Sequence, residues 1–191
     1  MRTIPPALVT PRLLLHPFVE EDFDAFYTSC VLDPEVMTFF HAYRGPLSDT
    51  ERRTRAHRDF LEHFISGSQN YGYVCWAITP GRALSFPPGT FLGWCGIVTP
   101  ALDHDTWGPE LAYVLARQAH GRGLATEAAA AVMADAWTRY SLPRMHAVVD
   151  APNLPSRRVL ERLQLRLVGP VEAYGSSDML VYTIEAPVDA A

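Results

Sequence analysis

The amino-acid sequence predicts an α+β domain, in which helices cover both faces of a mixed, mostly antiparallel sheet of about seven strands. The predicted order is one strand, then helices, then a group of strands, then alternating strands and helices, which is typical of a mixed sheet. The 191 residues are 48% hydrophobic and 19% charged, as expected for one globular domain with its own core. No linker or internal repeat divides the chain, so residues 1–191 are predicted to form a single domain, with its motifs within about residues 10–185.

The first third of the chain predicts one strand followed by three helices. The strand is Arg12–Pro17, after a start marked by prolines. Helices are predicted to begin at Glu20, where acidic residues occupy the first turn, and at Asp33, an N-cap followed by proline. A third and longer helix is predicted to begin at Thr50, within a capping-box pattern, and to run to about Ser66.

The rest of the chain predicts six strands and two further helices, from the periodicity of its apolar residues. The predicted strands are Tyr73–Ile78, Thr90–Val98, Glu110–Leu115, Met145–Val149, Leu165–Val168 and Met179–Ile184. The predicted helices are Leu124–Tyr140 and Leu154 to about Leu163, and residues 98–109 are predicted to form a polar loop. Because a helical crossover joins parallel strands, the strands on either side of the first of these helices should be parallel neighbours.

The connection between the strand Glu110–Leu115 and the helix Leu124–Tyr140 has the features of a phosphate-binding loop. Gly121 and Gly123 allow the backbone to approach a bulky anion, and Arg122 between them adds positive charge. The free amides and the dipole at the start of the helix favour a phosphate group there. An ordinary strand-to-helix turn, with glycines for packing, is the alternative on this motif alone.

Two other phosphate-binding motifs fit this connection less well. A nucleotide-binding Walker loop requires a lysine after its last glycine, and the chain contains no lysine. A dinucleotide fingerprint requires a third glycine where Thr126 stands. A nucleotide-dependent kinase, which would also need carboxylate ligands for a metal, is therefore the less favoured class.

Composition and charge argue against several other classes of protein. The net charge of −5 disfavours a nucleic-acid backbone or an anionic membrane as the main partner. Three widely spaced cysteines imply no disulfide framework, and the seven histidines show no metal-ligand spacing, so we expect no metal. Prolines and arginines interrupt the first 17 residues, which disfavours a signal peptide or membrane span and makes a cytoplasmic location the expectation.

Several motifs resemble the GNAT superfamily of N-acetyltransferases. Gln118–Gly123, followed by Ala-Thr-Glu-Ala, is similar to the loop that binds the pyrophosphate of acetyl-CoA in that superfamily. The segment Asn153–Leu165 resembles the Asn-x-x-Ser…Val-Leu-Glu-Lys-x-Gly-Phe motif of the branch that includes the ribosomal-protein N-terminal acetyltransferases (RimJ/RimL-like). Thr10–Leu13, Asp33–Met37 and Glu110–Tyr113 resemble the same branch, so the resemblance extends from about residue 10 to about residue 169.

The sequence departs from this family pattern at three positions. Gln164 replaces the usual glycine and Leu165 the usual phenylalanine, so the turn there must change shape or hold a strained glutamine. Leu160 occupies the position where many members of the superfamily have a tyrosine that acts as general acid. We therefore expect no tyrosine acid at that position.

The resemblance implies direct transfer of an acetyl group from acetyl-CoA to an amine. Glu110 is the candidate base, acting through water, although a solvated glutamate at the start of a strand is the alternative. Ser156 could donate a hydrogen bond to the departing thiolate, although it could instead satisfy amides of the helix that it begins. A backbone N–H near Val114 is expected to bind the oxyanion. Asn153 is a good N-cap and could also contact the pantetheine arm.

The resemblance also implies a set of residues that contact the co-substrate acetyl-CoA. They are Tyr113, Val114, Leu115, Gln118, Ala119, His120, Gly121, Arg122, Gly123, Leu124, Ala125, Thr126, Asn153 and Ser156. The acceptor is expected to be a primary amine, either a protein N-terminus or a small molecule, and Glu172 and Tyr174 are candidates for lining its side of the site. The protein is expected to be a monomer or a homodimer. A catalytically inactive CoA-binding sensor or scaffold of the same fold remains the alternative function.

Overall fold

The computed structural model describes residues 5–40, 46–66 and 72–187, which build one eight-stranded sheet. Its strands are β1 Leu8–Val9, β2 Leu13–Pro17, β3 Cys75–Pro80, β4 Gly93–Val98, β5 Glu110–Leu115, β6 Arg144–Asp150, β7 Arg166–Ala173 and β8 Ser176–Glu185. Their order across the sheet is β1-β2-β3-β4-β5-β6-β8-β7. All neighbouring strands are antiparallel except β5 and β6, which are parallel as predicted.

Within the described residues, five α-helices connect these strands. They are α1 Phe23–Phe26, α2 Asp49–Phe60, α3 His104–Trp107, α4 Leu124–Tyr140 and α5 Leu154–Arg162. Short 3-10 turns occur at Glu20–Asp22, Val36–Phe39 and Arg117–Ala119, and π-helical turns at Tyr27–Val31 and Leu61–Ile65. None of the helices in the described segments has the length and apolar character needed to cross a membrane.

The prediction of the central unit is confirmed, and the differences concern short elements. β5 and α4 have the predicted boundaries. The sheet has eight strands instead of about seven because β1 contains only two residues, too few to give a periodic pattern. The predicted polar loop contains the four-residue helix α3, whose N-cap Asp103 accepts a hydrogen bond from the Thr106 amide at 3.0 Å. The helix predicted to start at Asp33 is a single 3-10 turn.

Two hydrophobic clusters lie on opposite faces of the sheet, as the predicted layers require. One packs between the sheet and α4 and includes Leu111 and Leu115 of β5. The other packs beneath α1 and α2 and includes Phe23 and Phe60, whose rings lie 5.4 Å apart in an edge-on arrangement. Burying one such side chain stabilises the fold by about 1.5–3 kcal/mol. The strand β5 is therefore fixed from both faces.

The strands β5 and β6 are joined at only one end. Their ladder within the described residues consists of the single pair Glu110↔His146, and the amide of His146 donates to the carbonyl of Pro109 at 3.0 Å. Towards Leu115 the two strands are no longer paired, so they diverge. The start of β5 therefore lies where the gap between the strands begins, and its end leads into the glycine-rich loop.

Candidate active site

The glycine-rich loop has the backbone conformation that its two glycines predict. Gly121 and Gly123 have φ angles of 71° and 72°, in the left-handed region that other residues rarely adopt. Gly123 is the N-cap of α4, and no side chain caps its first amides. A Cβ at Gly121 would have nothing within 4 Å, and at Gly123 only Arg12 Nη2 at 3.6 Å. The loop thus presents uncapped helix amides beside open space, which suits an anionic group.

Several predicted binding residues of this loop use their side chains to hold the loop in place. The side-chain amide of Gln118 donates to the carbonyl of Phe91 at 3.2 Å, and His120 Nε2 lies 2.8 Å from the carbonyl of Leu115. The side chains of Ala119 and Leu124 are buried in the core. These residues can therefore contact a ligand mainly through their backbone, and their role in binding stays a prediction.

The turn between β1 and β2 stabilises the loop through contacts that were not predicted from the sequence. Arg12 Nε donates to Glu127 Oε2 at 2.6 Å, and Arg12 Nη1 donates to the carbonyl of Arg122 at 2.9 Å. Thr10 Oγ1 donates to Glu127 Oε1 at 2.6 Å. Burial acts to raise the pKa of Glu127, but the hydrogen bonds from Thr10 and Arg12 outweigh it and lower this pKa. The first turn of α4 is therefore tied to the β1–β2 turn.

A second ionic contact ties the loop to the segment after α1. Arg117 contacts Asp33 through Nη2 at 2.8 Å and Nε at 2.9 Å, and Glu35 through Nη1 at 3.1 Å. An open depression of about 530 Å³ lies beside this contact, lined by Ser29, Asp33, Ala116, Arg117 and Gln118. The loop thus has a concave surface next to it.

Two polar side chains lie at the start of α4, of which the hydroxyl of Thr126 is buried and the guanidinium of Arg122 is exposed. Thr126 Oγ1, within the first turn of the helix, has no hydrogen-bond partner among the residues that the structure describes. The guanidinium of Arg122 lies over the ring of Phe86 at 4.9 Å from its centroid, with the side chain exposed. An exposed cation beside uncapped amides fits a phosphate-bearing co-substrate.

Glu110 is a buried carboxyl group and not the solvated glutamate of the alternative interpretation. Its side chain is almost inaccessible, with the residue only 3% exposed. The hydroxyl of Tyr174 donates to Glu110 Oε2 at 2.8 Å, and the amide of Ala101 donates to the same oxygen at 3.2 Å. Burial raises the pKa of Glu110 to about 7, although these two hydrogen bonds act to lower it. The alternative is therefore wrong, and a carboxyl group that titrates near neutral pH lies at the start of β5.

His146 is a second buried titratable residue, and the sequence analysis did not select it. Its ring is fully buried, and its Nε2 lies 3.8 Å from Glu110 Oε2. Neither ring nitrogen has a hydrogen-bond partner within the described segments. Burial lowers the pKa of His146 to about 4, and the nearby backbone of residues 107–109 offsets only part of this effect. The contact with Glu110 is thus not an ion pair at neutral pH.

Ser156 and Tyr113 form a hydrogen-bonded pair of hydroxyl groups on the opposite face of β5 from Glu110. Tyr113 Oη lies 2.8 Å from Ser156 Oγ and donates to the carbonyl of Ser156 at 3.2 Å. The N-cap of α5 is Asn153, whose Oδ1 accepts a hydrogen bond from the Ser156 amide at 3.2 Å. Asn153 therefore caps the helix, as its alternative interpretation predicts, and leaves the hydroxyl of Ser156 to Tyr113.

The backbone amide that faces the gap belongs to Tyr113 and not to Val114. The amide of Ala116 donates to the carbonyl of Leu92 at 3.0 Å, on the side of β4. A Cβ at Gly93 of β4 would lie 2.2 Å from the carbonyl oxygen of Val114, so that group also points to β4. In a strand, the amide and carbonyl of one residue point to the same side, and the side alternates from residue to residue. The Val114 amide itself points to β4, so the predicted oxyanion donor near Val114 is its neighbour Tyr113, and that role stays a prediction.

The departures from the family pattern have a local structural account. Gln164 has a φ angle of 66°, so the turn after α5 keeps a left-handed residue without a glycine. Its amide donates to the carbonyl of Glu161 at 3.0 Å, and the amide of Leu165 donates to the carbonyl of Leu160 at 3.0 Å. Leu160 has an aliphatic side chain that is buried in the core, where it contributes to packing.

Comparison with known proteins assigns the chain to a family of enzymes. The family model described as "Acetyltransferase (GNAT) domain" matches residues 12–166, so the chain belongs to the GNAT acetyltransferases, which use acetyl-CoA. The protein YkkB of Bacillus subtilis (strain 168) is 30% identical over 156 residues, which cover 82% of this chain and 83% of YkkB.

Solved structures share the fold over nearly the whole chain. The acetyltransferase of Agrobacterium tumefaciens strain C58 has a TM-score of 0.71 and 27% identity, with 97% of each chain covered. RimL, the ribosomal L7/L12 alpha-N-protein acetyltransferase, solved with coenzyme A, has a TM-score of 0.67 and 18% identity, with 97% of this chain and 99% of RimL covered. At that identity the likeness to RimL is one of fold.

Proposed function

We propose that the protein transfers an acetyl group from acetyl-CoA directly to a primary amine, with Glu110 as the base. The observation that carries this proposal is the position of Glu110. Its carboxyl group is buried at the start of the gap between β5 and β6, seven residues before the turn that leads to the glycine-rich loop. A carboxyl group with a raised pKa in such a place is a candidate for proton transfer.

The loop at the start of α4 would hold the co-substrate. Backbone amides of residues 121–125 would bind the pyrophosphate, and Arg122 would add a cation. The predicted contribution of the Ala119 and His120 amides is wrong, because these amides donate to the carbonyls of Ala116 and Arg117. Asn153, Ser156, Tyr113 and Leu115 flank the gap in which the rest of the molecule would lie. When bound, acetyl-CoA supplies the activated thioester, and the protein's own groups orient it and handle the protons.

Glu110 would take the proton that the amine releases. Its pKa of about 7 means that the carboxylate form, which can accept a proton, predominates above neutral pH. An α-amino group with a pKa of about 8 is closer to this value than a lysine-like amine at about 10.4, so less free energy is needed to deprotonate it. This match supports an α-amine as acceptor, as in a protein N-terminus, over a lysine-like amine.

The remaining steps would use groups on the other side of β5. As the amine nitrogen bonds to the thioester carbon, the Tyr113 amide would donate to the developing oxyanion. As the carbon–sulfur bond breaks, the hydroxyl of Ser156 would donate a hydrogen bond to the departing thiolate, with Tyr113 Oη 2.8 Å behind it. No described group of three or more His, Cys, Asp or Glu residues could hold a metal ion, and the steps above use none.

The test is an acyl-transfer assay with a panel of amines. The purified protein is mixed with acetyl-CoA and with N-terminal peptides, polyamines or amino acids, while free thiol and the mass of the acceptor are followed. We expect thiol release coupled to one added acetyl group on at least one α-amine. Glu110→Gln should abolish most of this activity, whereas the exposed Glu62→Gln should retain it. Tight binding of acetyl-CoA without transfer to any amine would instead indicate a CoA-binding sensor.

A further inference from the structure

The turn between β7 and β8 breaks a rule of local sequence preference. Ala173 and Ser176 are paired across the hairpin, so its loop has two residues, Tyr174 and Gly175. Their φ angles are 51° and 73°, the sign that a type I′ turn requires at both positions. Asn, Asp or Gly normally occupies the first of these positions, because larger side chains are strained there. A tyrosine in this position needs a compensating interaction.

Partial burial of the tyrosine ring supplies some of that compensation, and its hydroxyl group adds a specific hydrogen bond. The residue Tyr174 is 50% exposed, so it gains only part of the benefit of burial. Its hydroxyl donates to Glu110 Oε2 at 2.8 Å, between residues 64 positions apart in the chain. Positions that break local rules are where functional constraints are expected. The strained tip of the hairpin thus reaches the buried carboxyl group.

The hydrogen bonds of Glu110 distinguish its two oxygen atoms. The donors in the described part of the chain, Tyr174 Oη and the Ala101 amide, both reach Oε2, and His146 Nε2 is also nearest to Oε2 at 3.8 Å. Among the described residues, no hydrogen-bond donor contacts Oε1. The carboxyl group is therefore anchored through one oxygen, and the other remains available to accept a proton.

We propose that Tyr174 is a positioning residue of the acyl-transfer site, whose hydroxyl fixes Oε2 of Glu110 and thereby presents Oε1 to the acceptor amine. This inference rests on the proposed function of Glu110. The hydroxyl also stabilises the carboxylate, so it adds to the fraction of Glu110 that can act as base at neutral pH. The groups that face Glu110 are Tyr174, the Ala101 amide and the neutral ring of His146. Of these three residues, only Tyr174 has a strained backbone conformation.

Two substitutions separate the hydroxyl group from the strain. Tyr174→Phe removes the hydroxyl and keeps the strained residue, whereas Tyr174→Asn removes the hydroxyl and creates the favoured Asn-Gly turn. We expect both variants to lower kcat at pH 7 by about tenfold, less than the loss expected on removing the base itself. Both should move the acidic limb of the pH–rate profile to higher pH, because the Glu110 carboxylate loses a donor. Tyr174→Asn should nevertheless have a higher melting temperature than Tyr174→Phe.

The matched control is Tyr140→Phe, since the Tyr140 hydroxyl donates to the carbonyl of Gly72, outside the Glu110 site. That variant should keep the wild-type kcat and pH profile. A wild-type kcat and acidic limb in Tyr174→Phe or Tyr174→Asn would overturn the inference, because a purely structural tyrosine predicts that result.

A double variant shows whether Tyr174 acts through Glu110. Adding Tyr174→Phe to Glu110→Gln should slow turnover no further, because the group that Tyr174 positions is already absent. A further tenfold loss would mean that Tyr174 acts independently, which contradicts the inference. Wild-type turnover in Glu110→Gln itself would instead refute Glu110 as base, and so would overturn the proposed function and not only the role of Tyr174.

Discussion

Replacing Glu110 by glutamine removes a buried ionisable group while nearly preserving the shape of the side chain, and the effect on stability can be worked out. Burial raises the pKa of this carboxyl group from 4.5 to about 7 in the folded protein. A raised pKa means that the folded state binds the proton more tightly than the unfolded state does. The stabilisation that comes from this tighter proton binding by Glu110 is fully present below pH 4.5, and it is lost as the pH rises through about 7.

The magnitude follows from the two pKa values. The shift is about 7 − 4.5 = about 2.5 units, and each unit corresponds to about 1.36 kcal/mol. The cost of ionising Glu110 on folding is then about 1.4 kcal/mol at pH 5.5 and about 3.4 kcal/mol at pH 8.5. Glutamine has no such cost, so the stability of Glu110→Gln relative to the wild type should increase by about 2 kcal/mol between these two pH values. For a chain of this size the difference in melting temperature should change by roughly 4–8 °C.

Thermal and denaturant unfolding of both proteins at pH 5.5 and pH 8.5 would measure this difference. Titration of all the other groups is common to the two proteins and largely cancels in the comparison. A stability difference that is the same at both pH values would refute the reasoning, because it would mean that Glu110 titrates near its ordinary pKa. The activity should change in the opposite direction, with kcat at neutral pH falling by about 10²-fold in Glu110→Gln. That loss of activity should become smaller as the pH rises towards the pKa of the acceptor amine, because the free amine does not need an enzyme base.

Three further predictions concern the glycine-rich loop and the chemistry. Gly123→Val should weaken the binding of CoA, measured by calorimetry, at least about tenfold, because a β-branched residue is strained at a φ of 72°. The control is Gly72→Val, which has a similar φ and open surroundings and should leave CoA binding unchanged. Arg12→Met should lower both the melting temperature and the affinity for CoA, because it removes the contacts with Glu127 and the Arg122 carbonyl. Unaltered CoA affinity would mean that the loop keeps its shape without these contacts. Activity should survive a chelator, and a loss that a divalent ion restores would contradict the direct mechanism.

The central unit could be predicted from the sequence because its determinants are local. The strand β5, the two glycines and the apolar stripe of α4 lie within 31 consecutive residues, Glu110–Tyr140, and each follows from periodicity or backbone preference. The face on which each side chain of β5 lies is also local information. The side to which the Tyr113 amide points is not, because it depends on the pairing of β5 with β4.

The parts of the site that could not be predicted are contacts between distant segments. Tyr174 meets Glu110 across 64 residues, and Arg12 meets Glu127 across 115. The sequence analysis selected Glu110 and Tyr174 as separate candidates, but no pattern in the sequence indicates that they contact each other or that Arg12 contacts Glu127. One indirect signal existed for Tyr174: a tyrosine precedes glycine at a hairpin turn where asparagine or aspartate is expected.

The strand β5 also sets a fixed distance within the protein. Glu110 is its first residue and Leu115 its last, and five intervals of about 3.3 Å separate them by about 17 Å. Glu110 and the glycine-rich loop therefore lie at the two ends of a rigid strand, which is held from both faces by the core. Inserting or deleting two residues in β5 would keep the alternation of its faces but would move the two ends by about 7 Å relative to each other. If the proposed site is used, the co-substrate and the acceptor together must span this distance. Sequence variation within β5 should therefore be tolerated far better than any change in its length.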